Sequence, residues 1–160
     1  MRNTKWALLG SMVLLAAMML CVVAKASPDA FSGTWKMDPA KSKFSPGPPQ
    51  KSLTLVVESD ENGIMLEATG VDGEDKPINM KYRAKYDGKD YPLTGLPNAD
   101  MISAKRIDAN TIQTQQKKDG TVVMTITSKL SNGGKTRTAT FVGKNPEGHP
   151  VHNVVVYDKQ

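Results

Sequence analysis

The sequence predicts an all-β protein, an antiparallel up-and-down β-barrel of about eight to ten strands with little helix. Apolar and polar residues alternate in several short runs, as a strand with one buried face and one wet face requires. The clearest run covers residues 78–86, where Ile78, Met80, Tyr82, Ala84 and Tyr86 share one face. Asp-Gly and Asn-Gly pairs separate such runs, and these residues accept the positive φ angles of tight hairpins. A flatter β-sandwich is the alternative.

The first 26 residues have the three parts of a secretory signal peptide. Arg2 and Lys5 precede an apolar run, residues 6–24, that contains no charged residue, and Ala24-Lys25-Ala26 is a small-x-small cleavage pattern. We therefore expect cleavage after Ala26 and an exported protein, periplasmic or secreted, with one domain at residues 27–160. The alternative is an uncleaved anchor, since the run is long enough to span a bilayer; otherwise membrane contact is expected only through the signal segment before cleavage.

Charge and cysteine content argue against several classes of protein. The formal net charge is +5, but cleavage removes three of the 21 basic residues and leaves 18 against 16 acidic ones. Such a balance gives no basic face for nucleic acid, so no nucleic-acid partner is expected. The single cysteine, Cys21, lies in the predicted signal. The mature chain therefore has no disulfide and depends on its core for stability.

The remaining elements follow in chain order. Residues 31–37 form the first predicted strand, and residues 38–44 fit one helical turn, with Asp38 as N-cap and Pro39 at the first helical position,. The proline-rich stretch 45–49 is predicted as an extended crossing. Further strands are predicted near residues 53–57, 64–69, 78–86, 89–93, 101–107, 111–117, 122–127, 136–142 and 151–157.

The first strand carries a resemblance to a known superfamily. Gly33-Thr34-Trp35 resembles the Gly-x-Trp opening of the calycins, which include lipocalins, fatty-acid-binding proteins and avidins. Residues 40–47, 86–92 and 105–111 also resemble recurring segments of a group of exported bacterial proteins without an established activity. These resemblances imply a lipocalin-like barrel in which Trp35 seals one end and Gly33 allows close backbone approach.

The resemblance to fatty-acid-binding proteins fails at three points. Those proteins hold a carboxylate with an Arg-x-Tyr pair on the last strand; here Tyr157 fills the tyrosine position, but Val155 stands at the arginine position. They also carry a two-helix lid, for which residues 38–50 leave no room. Lipocalins usually have disulfides, which this chain lacks. The barrel shape is therefore a firmer implication than fatty-acid chemistry.

No motif indicates catalysis, a metal or a cofactor. His149 and His152 are three positions apart, which places them on opposite faces of a strand, and no cysteine or acidic cluster adjoins them,. No nucleophile elbow, phosphate loop or dinucleotide fingerprint is present. Adjacent carboxylates lie in predicted turns, where they serve as solvated turn residues. We expect a protein that is not an enzyme and has no cofactor.

Two functional hypotheses remain. In the first, the barrel binds a small hydrophobic ligand in its interior, through residues drawn from the apolar strand faces and one cation: Met80, Tyr82, Tyr86, Arg106, Met124 and Tyr157,. In the second, these residues fill the core, and the protein is a structural or interaction protein of the cell envelope with an unknown protein partner. Arg106 and Arg137 are then surface charges, or one of them packs over Trp35.

Overall fold

The computed structural model describes residues 29–160. The predicted signal peptide lies outside these residues. Ten antiparallel strands make up the described fold: β1 (Gly33–Met37), β2 (Ser52–Ser59), β3 (Gly63–Val71), β4 (Pro77–Lys85), β5 (Asp90–Thr94), β6 (Met101–Asp108), β7 (Thr111–Lys118), β8 (Thr121–Ser131), β9 (Thr136–Lys144) and β10 (Pro150–Lys159).

The strands close into a barrel in which each strand pairs with its neighbours in sequence and β10 pairs with β1. The seam places Trp35 opposite Lys159 and Met37 opposite Tyr157. The predicted up-and-down barrel is thus confirmed. Closure gives every strand two partners, so no long edge is left to pair with another chain. The polar strand β7 lies between β6 and β8.

Alternation along each strand divides the residues between core and solvent. The buried residues of β2 and β3, for example, are Leu53, Leu55 and Val57, then Ile64, Leu66 and Ala68. Because the side-chain period of a strand is two, all of these point into the barrel. They form one core with inward residues of the other strands.

The connections fall into two groups at opposite ends of the barrel. One end, which we call the plugged end because Trp35 fills it, carries the tight turns after β2, β4, β6 and β8. Both chain ends of the described region also lie there. The loop end carries the crossing between β1 and β2 and the connections after β3, β5, β7 and β9. The predicted helical turn after β1 is a hydrogen-bonded turn and not a helix. The Asp38 carboxylate accepts from the backbone N–H groups of Ala40 and Lys41 there, as an N-cap does, but Lys43 then forms a bridge to Val154 on β10.

Trp35 is fully buried at the plugged end, as predicted. Its indole Nε1 donates to the carbonyl of Phe31 at 2.8 Å, and Phe31 is itself fully buried. The cation over the Trp35 ring is Lys159, with Nζ 5.0 Å from the ring centroid, and neither arginine considered from the sequence holds this position. Gly33 makes room for that lysine: its φ is +129°, and a Cβ there would lie 2.8 Å from Lys159 Cε.

Within residues 29–160, no helix has the length and apolar character needed to cross a membrane. The helical structure of this region is a three-residue 3-10 turn, Asn132–Gly134, in the reversal between β8 and β9.

Candidate functional site

A cavity of about 280 Å³ occupies the barrel between the plug and the loop end. Most of its wall is apolar, because the inward faces of the strands supply it. The aliphatic and methionine side chains of this wall are Leu53, Leu55, Leu66, Ile78, Met80, Ile102, Met124, Ile126, Val151 and Val155. Ala68 and Ala139 leave space where larger residues would fill the lumen.

The polar groups of the cavity are unevenly placed along its axis. Five amide side chains line it in or near the loop end: Gln50, Asn98, Gln116, Asn145 and Asn153; the buried Thr114 also lines the cavity. The amides accompany the apolar side chains of Phe44, Leu96 and Pro146. A rim of this mixed composition suits the entrance to an apolar pocket. Uncharged amides hydrogen-bond to water, and they cost less to desolvate than charged groups when a ligand passes.

Arg137 is the one charged residue that lines the cavity in the described part of the chain. It lies at the start of β9, beside the plugged end, and only 5% of the residue is exposed. Its Nη2 donates to the Ser128 hydroxyl on β8 at 3.0 Å. Nε and Nη1 are buried and find no hydrogen-bond partner among the described residues. The floor of the cavity therefore carries a positive charge without a counter-charge.

Aromatic rings surround this guanidinium. Its carbon lies 5.9 Å from the centroid of Phe31 and 6.0 Å from that of Tyr157, near the outer limit for cation–π attraction,. Burial raises the pKa of both Tyr82 and Tyr157 to about 12, although the nearby Arg137 charge acts in the opposite direction. Burial likewise lowers the pKa of Arg137 from its usual value. Arginine keeps its proton in proteins, so the floor remains cationic at neutral pH.

The six residues named from the sequence divide into two groups in space. Met80, Tyr82, Met124 and Tyr157 line the cavity. Tyr86 and Arg106 are not among the lining residues; they lie together at the plugged end, where the Arg106 guanidinium stacks 4.9 Å from the Tyr86 ring.

Arg106 has local partners that account for its position. It forms an ion pair with Asp29, and the two side chains are 21% and 14% exposed. Its Nη2 also donates to the Ser59 hydroxyl at 3.1 Å. Tyr86 completes the cluster through a 2.7 Å hydrogen bond to Ser59, and burial raises the pKa of this tyrosine. We therefore interpret Arg106 as a tie between the N-terminal segment and the barrel wall.

Sequence reasoning missed Arg137 as a cavity residue, although one signal was available. Arg137, Ala139 and Phe141 alternate with threonines along β9, which places all three on one face,. Phe141 and Ala139 mark that face as the inward one. The expectation that arginines lie at the surface overrode this alternation, because buried charges are rare. The structure places Arg137 inside the barrel.

A second depression, of about 410 Å³, lies against the β2–β3 and β4–β5 turns. It is lined by charged side chains of both signs, including Glu58, Asp60, Arg83 and Lys85. Glu58 and Arg83 are each at least 70% exposed, so water screens their charges,. The interior cavity, with a mostly apolar wall and a single charged residue among those described, is the better candidate site.

Among residues 29–160, no group of three or more His, Cys, Asp or Glu side chains is arranged to hold a metal ion. No protein-family model and no curated protein matches the sequence. The basis for a functional proposal is accordingly the cavity itself.

Proposed function

We propose that this protein is an exported, non-enzymatic barrel that carries a small hydrophobic ligand in its interior. The observation that supports the proposal is the cavity of about 280 Å³ and its apolar wall. Protein interiors are otherwise packed as densely as organic crystals, with few voids larger than a water molecule. Space on this scale in the middle of a barrel favours an occupant.

The size and chemistry of the cavity indicate the kind of occupant. Pockets for small molecules usually measure about 300–1,000 Å³, so this one suits a ligand at the small end of that range. Leucine, isoleucine and methionine side chains attract apolar groups without fixing one shape, and methionine adapts well to irregular ligands. Residues 29–160 contribute no carboxylate, imidazole or thiol to the wall, so binding is proposed and not acid–base or nucleophilic catalysis.

The first test is native mass spectrometry of the protein purified from its own host, followed by titration with an uncharged apolar fluorescent probe. A co-purifying small mass, or saturable probe binding at one site, is the expected result. Absence of both would contradict the proposal and favour the alternative, a structural or interaction protein of the cell envelope.

A pair of variants on one strand locates the binding. Ala68 is buried and lines the cavity, whereas the adjacent Thr69 is exposed on the outside of the barrel. Ala68→Leu adds volume inside the lumen and should weaken probe binding strongly. Thr69→Leu places the same leucine side chain on the outer surface and should leave binding unchanged. Equal effects of the two substitutions would place the probe somewhere other than the interior.

A further inference from the structure

We propose that Arg137 is an anion-binding group at the floor of the cavity and that the ligand is an apolar molecule with one anionic head, in the simplest case a carboxylate. This inference rests on the proposed function of interior binding and specifies its ligand class. The decisive observation is a buried guanidinium that faces an apolar cavity without a counter-charge.

The charge of Arg137 is uncompensated by protein. The ion pairs of the described residues do not include it, and no acidic side chain lines the cavity. An isolated charge in an apolar interior is strongly unfavourable unless it is paired or hydrogen-bonded. Arg106 shows the usual solution in the same barrel, since Asp29 neutralises it. At Arg137 no side chain of residues 29–160 supplies the corresponding anion, and a ligand is able to supply it.

The free donors of Arg137 also match an anionic head. A guanidinium has five N–H donors, and the Ser128 hydroxyl accepts from one nitrogen only,. Among the described residues, Nε and Nη1 of Arg137 have no partner, whereas at Arg106 this is true of Nε alone. Carboxylates are favoured acceptors for arginine, because charge-assisted hydrogen bonds are stronger than neutral ones. One positive charge balances one negative charge, which favours a singly charged head over a phosphate.

Stacking on the neighbouring rings does not explain Arg137 equally well. Its distances to Phe31 and Tyr157, 5.9 and 6.0 Å, exceed the 4.9 Å between Arg106 and Tyr86. Cation–π attraction also leaves the N–H groups of Arg137 unsatisfied.

The position of Arg137 fixes the orientation of the ligand. Arg137 stands beside the plug, and the apolar wall extends from it toward the loop end, where the amides of Asn98 and Asn145 lie. The anionic head therefore enters first and the hydrocarbon follows. A medium-length chain suits the cavity volume, since the ligand must fit at the small end of known pockets.

The test compares three ligands of one chain length at neutral pH: decanoate, decanol and decylamine. Each displaces the uncharged apolar probe from the full mature chain. For the wild-type protein we expect decanoate to bind at least about tenfold more tightly than decanol, as a charge-assisted hydrogen bond provides, and decylamine to bind most weakly. Arg137→Met should abolish the preference for decanoate and leave decanol affinity within about threefold of wild type.

The matched control is Arg83→Met. Arg83 is an arginine whose side chain is 74% exposed on the outside of the barrel, so its replacement removes the same charge without touching the cavity. The decanoate preference should survive this substitution. If it falls equally in both variants, general electrostatics explain it and the proposal is wrong.

The remaining outcomes separate this inference from the proposed function. If decanol displaces the probe from the wild-type protein as well as decanoate does, the proposed role of Arg137 is wrong, but interior binding is supported. Absence of probe binding and of displacement by every ligand contradicts the proposed function as well. The wild-type comparison needs no variant, so a failure of Arg137→Met to fold does not affect it.

Discussion

Arg137 and Tyr157 stand directly opposite each other on the paired strands β9 and β10, and both side chains lie inside the barrel. The arginine lies on β9, and Val155 and Tyr157 lie on the neighbouring strand β10. Cross-strand neighbours are close in space, so a residue on β9 reaches the same part of the lumen as one on β10.

The two buried tyrosines should make the protein sensitive to alkaline pH. The pKa of Tyr82 and of Tyr157 is about 12 in the folded state, against about 10 in an unfolded chain. Below pH about 10 both states hold the protons, and the stabilisation is fully present. Between pH about 10 and 12 only the unfolded state releases them, so the free energy of unfolding should fall by roughly 2–3 kcal/mol per tyrosine.

Urea titrations at several alkaline pH values check this expectation. Tyr82→Phe and Tyr157→Phe serve as controls, because each removes one titrating phenol and keeps its ring. The alkaline loss should shrink in each variant. An identical pH dependence in wild type and in both variants would contradict the assignment.

The two inward arginines should respond in opposite ways to replacement by methionine. Arg106→Met leaves the Asp29 carboxylate, 14% exposed, without its cation, and should lower the free energy of unfolding by about 1–3 kcal/mol. Arg137→Met removes a charge that has no counter-charge and keeps apolar volume, so stability should stay within about 1 kcal/mol of wild type or increase.

Chemical denaturation of ligand-free protein measures both changes. A control for the ion pair is Asp75→Asn, which breaks the pair between Asp75 and Lys51; those side chains are 75% and 50% exposed. We expect a loss of no more than about 1 kcal/mol there. A large loss of stability in Arg137→Met would instead identify that arginine as a structural element.

The plug should depend on both the volume of Trp35 and its hydrogen bond. Trp35→Ala should cost about 3–5 kcal/mol, because it leaves a cavity in a fully buried site,. Trp35→Phe retains an aromatic ring but leaves the Phe31 carbonyl without its donor, and about 1–2 kcal/mol is expected. Guanidinium denaturation distinguishes the two. Equal losses would show that volume has little part in the role of Trp35.

Two glycines in turns of the loop end differ in the space around them. At Gly95, φ is +88° and a Cβ would lie 1.7 Å from the Asn79 carbonyl oxygen; at Gly120, φ is +77° and no atom lies within 4 Å. Gly120→Ala should therefore cost only the conformational strain, about 1–2 kcal/mol. Gly95→Ala should cost more by about 1–3 kcal/mol, because the backbone of β4 must shift. Thermal melts of the pair would refute this if the two losses were equal.

The strands could be predicted from the sequence, but the role of each inward residue could not. Alternation and Asp-Gly turns identify the strands from β2 to β10, since period and turn chemistry are local properties. Strand ends were less certain: β8 extends to Ser131, and those last residues include Ser128, the partner of Arg137. The burial of Arg137 inside the barrel was not predicted, because it depends on closure of the whole sheet.

The cavity, too, could not be predicted from local sequence patterns. Whether Ala68, Ala139 and their neighbours fill a lumen or surround a void depends on the summed side-chain volumes and the barrel diameter, and no local pattern encodes that sum. The ion pair of Arg106 could not be predicted from a local pattern either. Arg106 was named as a candidate ligand-binding residue, but its partner Asp29 lies 77 positions away in the chain, so the ion pair was beyond the reach of spacing arguments.

The seam between β1 and β10 joins the two strands of the barrel that lie farthest apart in sequence. Trp35 pairs across this seam with Lys159, so β1 lacks one of its two neighbours until β10 has docked. Joining the two ends closes the longest loop in the domain, which makes it the contact with the greatest entropic cost. Until that moment β1 and β9 each keep an unpaired edge, a template for association with other chains. Docking of β10 is thus the step that converts an open sheet with two free edges into a closed barrel.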